Sequence, residues 1–117
     1  MSHYDTNLDK NSANFVPLTP LTFLMRAKEI YPEYEAVIYE DRKYTWAQVY
    51  KRTIKFASAL NKIGVKKGDT VSFLAFNTPE IFEGHYSVPM SGAVLNTINI
   101  RLDAKTIAYI LEHSDAK

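Results

Sequence analysis

The residues of this sequence best placed to do chemistry are Asn99 and Arg101, in the run Asn96-Thr97-Ile98-Asn99-Ile100-Arg101-Leu102-Asp103. That run leaves an apolar segment and enters a helical one. In open α/β sheets, ligands bind beyond the carboxyl ends of strands, where a helix N-terminus also offers unpaired backbone donors. A guanidinium there could contact a phosphate, and it could equally pair with Asp103 or cover apolar surface. Other reactive constellations are missing. Neither phosphate-cradling glycine pattern, G-x-x-x-x-G-K or G-x-G-x-x-G, occurs. Gly64, Gly68, Gly84 and Gly92 stand singly and read as caps and turns at element ends. His3, His85 and His113 are too far apart in sequence to suggest a metal site. His85 reads as a structural histidine at a helix–sheet boundary, and His113 as a residue suited to the negative end of the last helix. Ser58, Ser72, Ser87, Ser91 and Ser114 lack the G-x-S-x-G elbow of a nucleophile. The carboxylates fall mostly on turns and helix starts, as caps and solvated surface do.

Composition narrows the field further. The chain has 117 residues, 46% hydrophobic and 23% charged, which suits a globular body. Its 14 basic and 13 acidic residues are well mixed, so no basic field exists to hold nucleic acid or an anionic membrane. The eight tyrosines and six phenylalanines follow apolar stripes and do not alternate with basic residues, against an RNA-stacking platform. Cysteine is absent, which excludes disulfides and thiolate metal sites. No stretch approaches the roughly 20 apolar residues of a transmembrane segment, and the polar N-terminus lacks a signal-peptide core. A cytoplasmic protein is expected.

The elements that must hold Asn99 and Arg101 follow from periodicity. Residues 1–16, rich in Asn, Ser and Asp, read as a flexible N-terminal arm. Leu21, Leu24, Met25 and Ile30 form a helical stripe, capped by Thr19 or Thr22 and ended by Pro32. Val37 to Tyr39 and Lys43 to Thr45 read as a hairpin around Glu40-Asp41-Arg42. Thr45 and Gln48 have capping-box spacing for a long helix whose inner face is Trp46, Val49, Tyr50, Ile54, Ala57, Leu60 and Ile63, stopped by Gly64. Val71 to Phe76 and Ala93 to Ile98 read as strands buried on both faces. Between them Asn77-Thr78 caps a helix, with Pro79 and Glu80 in its first turn and Pro89 distorting its end. Asp103 opens a final helix carrying Ile107, Ile110 and Leu111 on one face.

Strands alternating with helices imply an α/β fold: a partial, mostly parallel sheet with helices on its faces, plus a short N-terminal hairpin. Two buried strands leave faces and edges uncovered, so the chain is expected to be the N-terminal part of a larger domain. Residues 17–117 would then be an incomplete first portion.

Several of these segments resemble one family. Lys43-Tyr44-Thr45-Trp46, the helix ending at Gly64, and Val65-Lys66-Lys67-Gly68-Asp69-Thr70-Val71 are similar to the opening of adenylate-forming (AMP-binding) enzymes. Asn77-Thr78-Pro79-Glu80, the run from Val88 to Leu102, and Ile107 to Ser114 are closer to the acyl-CoA synthetase, or fatty-acid–CoA ligase, branch. The resemblance spans residues 17–117. It implies a parent enzyme that converts a carboxylic or fatty acid, ATP and CoA to acyl-CoA, AMP and pyrophosphate through an acyl-adenylate, with Mg2+. The family's phosphate loop, adenine-pocket aromatics, magnesium-binding glutamate and catalytic lysine match no position here. No catalytic residue is therefore expected, and the chain alone should be inactive and bind no cofactor tightly. By position, the resemblance makes Asn99 and Arg101 contacts on the CoA side. The alternative reading is a stand-alone, non-catalytic interaction module derived from the same subdomain. Either way, the chain is expected to self-associate or to need the rest of its domain.

Overall fold

In a computed structural model that describes Asn7 and residues 9–117, eight elements follow the expected order. They are α1 (Pro20–Ile30), β1 (Glu35–Tyr39), β2 (Arg42–Thr45), α2 (Trp46–Lys62), β3 (Thr70–Leu74), α3 (Pro79–Met90), β4 (Val94–Ile98) and α4 (Ala104–His113). His3, and residues 1–6 and 8 of the expected arm, lie outside the described residues.

Local chemistry sets the boundaries. Thr19 accepts from the Thr22 N–H and Pro20 starts α1, a position whose missing N–H costs no bond. The β1–β2 hairpin is antiparallel and turns through Glu40-Asp41, with Glu40 at φ 52. The left-handed conformation thus falls on a non-glycine residue, which is why the turn carries no Asn-Gly or Asp-Gly signature. The capping box of α2 forms in both directions: Thr45 N–H donates to Gln48 Oε1 at 2.9 Å, and Gln48 N–H to Thr45 Oγ1 at 3.3 Å. At its other end Gly64, at φ 99, lets Val65 N–H reach Leu60 O and Gly64 N–H reach Asn61 O, both at 3.1 Å. Those two bonds form a Schellman closure, and Leu60 and Val65 pack beside it in the core.

β3 and β4 pair in parallel, Thr70 with Val94 through Leu74 with Ile98, with α3 as the crossover. Asp69 O accepts from Val94 N–H, whereas Thr70 O accepts from Lys117 N–H at 2.9 Å. Successive carbonyls of a strand point to opposite edges, so the parallel bridge of Ala116 to Thr70 lies on the edge of β3 away from β4. β3 thus has β4 along one edge and this single bridge at the start of the other.

One face of the β3–β4 pair is packed. Val71, Val88, Ala93, Leu60 and Val65 form the core, with Phe56, Phe73 and Leu95 against it. The opposite face is covered only in part: Ile98 is buried there, but Leu74 is 54% and Val94 55% exposed, so the two strands are not buried on both faces as their apolar runs suggest. There Asn96 Nδ2 reaches Ser72 Oγ at 2.9 Å and Ser114 Oγ at 3.2 Å, while α4 buries no residue. The chain exposes 8849 Å², against roughly 6,500 Å² for a folded monomer of this length.

Several expectations are corrected. The buried stripe of α2 is Val49, Thr53, Ala57 and Leu60, whereas Ile54 and Ile63 face solvent. Periodicity favours the isoleucines, but α2 packs against α1 and α3, and Thr53 is fully buried with a hydroxyl that finds no partner among the described residues. Met25 and Ile30 of α1 are likewise exposed, and Leu24 alone is buried. Gly84 is no terminus. It lies inside α3, where a Cβ would come within 2.9 Å of Phe73 Cζ, so its missing side chain lets helix and strand approach. Thr78 sits at the N-cap of α3 without a side-chain cap bond. α3 runs through Pro89 and ends one residue later, so the proline removes little.

Candidate functional site

Beyond the carboxyl ends of β3 and β4 the chain forms a cleft of about 650 Å³. Phe76 and Asn77 enter it after β3, Asn99 and Arg101 after β4, Tyr39 from the hairpin and Ile81 from α3. The two residues singled out from sequence are thus together in one concavity. The loop carrying them is shaped by its own side chains. Asn99 Oδ1 accepts the Arg101 N–H at 2.9 Å, and Leu102 N–H donates to Asn99 O at 3.3 Å. Asp103 caps α4, accepting from Lys105 N–H, Thr106 N–H and, at 2.6 Å, the Thr106 hydroxyl. Those bonds, the Thr106 hydroxyl foremost, hold the Asp103 carboxyl below its ordinary range. Arg101 is exposed and makes no ion pair among the described residues. An exposed Phe76 adds an aromatic surface to the same cleft.

A second trough of about 610 Å³ runs between β1 and α3, lined by Val37, Tyr39, Pro79, Phe82, His85 and Tyr86. Its apolar walls raise the Tyr86 phenol by burial. His85 stands here, exposed, with Nδ1 2.8 Å from Ile81 O of its own helix. It is therefore not packed at a helix–sheet boundary, although its role is still bonding within the fold. His113 ends α4 as expected and stacks on Tyr109, ring centroids 5.5 Å apart.

Sequence reasoning missed the charged pairs behind these walls. Arg42 reaches Glu80 at 2.7 Å and lies over the Tyr39 ring at 5.1 Å. The neighbouring Thr78 hydroxyl, Arg42 and its own backbone N–H lower Glu80 to about 2. Behind them Arg52 of α2 grips Glu83 of α3 through both carboxylate oxygens and lies over Tyr44 at 4.8 Å. The partners are 38 and 31 residues apart, beyond the reach of any local pattern.

Among the described residues, no three His, Asp or Glu side chains converge to hold a metal ion. No described helix is long and apolar enough to cross a membrane.

Comparison with known proteins places these features in context. The AMP-binding enzyme family matches residues 24–117. A peroxisomal trans-cinnamate:CoA ligase of Petunia hybrida is 54% identical over 110 residues, covering 94% of this chain and 19% of the relative. Among solved structures, a long-chain-fatty-acid CoA ligase of Rhodopseudomonas palustris, itself described as putative, superposes with a TM-score of 0.80 at 29% identity, over 85% of this chain and 25% of that one. The o-succinylbenzoate CoA synthetase of Bacillus subtilis, solved with ATP and magnesium, gives 0.76 at 29%, over 80% and 26%. The chain spans about a fifth of the length of the curated relatives it matches.

Proposed function

This chain belongs to the AMP-binding enzyme family, and on that premise we propose that it is the N-terminal portion of an ATP-dependent acyl-CoA synthetase. Such an acid–thiol ligase activates a carboxylic or fatty acid as an acyl-adenylate, releasing pyrophosphate, and passes the acyl group to CoA with release of AMP. The observation that carries the reading is 54% identity, over nearly the whole chain, to a protein named as a CoA ligase. The matched proteins are named for cinnamate, long-chain fatty acid and o-succinylbenzoate, so the shared substrate chemistry is a carboxylic acid.

Within that enzyme the cleft of Asn99 and Arg101 serves the CoA side. Arg101 offers a charge-assisted bond to a phosphate, and Asn99 shapes the loop that presents it. ATP and Mg2+ belong to the reaction, but the residues described here do not fit either. They provide no glycine-rich phosphate loop and no converging carboxylates, so the 117 residues alone are inactive.

Acid-dependent exchange of labelled pyrophosphate into ATP by the full-length protein tests adenylate formation without CoA. Exchange with at least one acid of a mixed panel is expected, and none with any acid would contradict the proposal. The partly open face bearing Leu74 and Val94 must be covered by the rest of the domain or, in the isolated chain, by a second copy. Sedimentation of the isolated chain should show self-association at tens of micromolar, and a compact monomer would contradict it. The protein works in the cytoplasm on the composition argument, or in the peroxisome named for the cinnamate relative. Imaging the full-length protein, tagged at its N-terminus, decides between the two.

A further inference from the structure

Tyr39 lines both concavities, so the hairpin that carries it sets the width of each. Only a two-residue turn, with Glu40 at positive φ, connects β1 to β2, and the hairpin forms a two-stranded sheet of its own. Two-stranded ribbons are marginal unless something braces them. At the turn, among the described residues, the Arg42 side chain braces the ribbon to α3. The Arg42 guanidinium lies 5.1 Å from the centroid of the Tyr39 ring and 2.7 Å from Glu80 Oε1, in the first turn of α3. That same helix supplies Ile81 to the wall of the Asn99–Arg101 cleft.

We propose that Arg42 is a positioning residue for this cleft, clamping the Tyr39 wall to α3 through Glu80 so that it faces the Arg101 loop at a fixed width. Arg42 touches no reacting group in this account; it acts through Tyr39. The inference rests on the CoA-side reading of the cleft. Both partners of the ion pair are about half exposed, so the effect is modest: a two- to fivefold change in binding, the range of exposed ion pairs.

The test uses the full-length enzyme with Arg42→Met, Glu80→Gln, the double variant, and Arg101→Ala as a reference. Two readouts are taken. Hydrogen exchange of residues 36–45 reports the clamp itself, and the Michaelis constants for CoA and ATP report its consequence. Arg42→Met and Glu80→Gln should each speed hairpin exchange and raise the CoA constant two- to fivefold, leaving the ATP constant unchanged. The double variant should add little to either, because both act through one contact. Unchanged hairpin exchange would overturn the clamp. Faster exchange with an unchanged CoA constant would overturn the positioning role. In that second case Arg101→Ala separates the causes: a raised CoA constant leaves the cleft reading standing, and an unchanged one removes it as well. A general loss of folding would lower the melting temperature and disturb both constants together, which also counts against the proposal.

Discussion

Replacing Arg52 by methionine should lower the stability of this fold by about 3 kcal/mol, the largest effect expected of any single substitution outside the apolar core. Glu83 is 4% exposed and lies between α2 and α3. Arg52 satisfies both of its carboxylate oxygens, one through Nε and the other through a terminal nitrogen at 3.1 Å. Glu83 in turn raises the guanidinium above its ordinary range, chiefly by that hydrogen bonding. Methionine keeps an unbranched apolar stem but gives up the guanidinium over the Tyr44 ring and leaves a buried carboxylate unpaired. The low end of the 3–5 kcal/mol range applies because the Arg52 side chain is 40% exposed, which lets water approach the vacated side. Thermal denaturation should show a midpoint lower by roughly ten to twenty degrees. The double variant Arg52→Met, Glu83→Met should recover most of that loss, since it removes the charge together with its partner. A single variant that melts within two or three degrees of the parent would mean the pair is solvated and contributes little.

Arg101→Ala addresses function instead of folding. In the full-length enzyme it should raise the Michaelis constant for CoA roughly ten- to hundredfold, the loss of one charge-assisted hydrogen bond of about 1.5–3 kcal/mol. The constant for ATP should not move. Stability should hardly change, because the loop is fixed by the Arg101 backbone N–H on Asn99, which alanine retains, and Asp103 is already engaged at the start of α4. A lower melting temperature with unchanged CoA kinetics would return Arg101 to a packing role.

How much of this was legible depended on sequence distance. The Thr45–Gln48 capping box, the Gly64 closure, Thr19 and Pro79 at helix starts and Asp103 as a cap are all set by neighbours within a few residues, and each stands where the sequence puts it. The burial of α2 was misread at Ile54 and Ile63 because periodicity counts apolar residues without knowing which side the neighbouring helices take. Gly84 looked like punctuation, and its reason, the Phe73 ring from another element, emerges only in three dimensions. The Arg42–Glu80 and Arg52–Glu83 pairs were hidden for the same cause. Asn99 and Arg101 were found because a strand leading into a helix is itself a local pattern. Tyr39, brought to the same cleft from a hairpin some sixty residues earlier, was not.

The most direct test of the central claim is acyl-CoA formation measured side by side for residues 1–117 and for the full-length protein, with ATP, magnesium, CoA and a panel of aromatic and aliphatic acids. The full-length protein should yield acyl-CoA, AMP and pyrophosphate in equal amounts with at least one acid, while the 117-residue chain stays at background. A full-length protein inactive with every acid, or a 117-residue chain whose product formation disappears on mutating one of its own residues, would contradict the account.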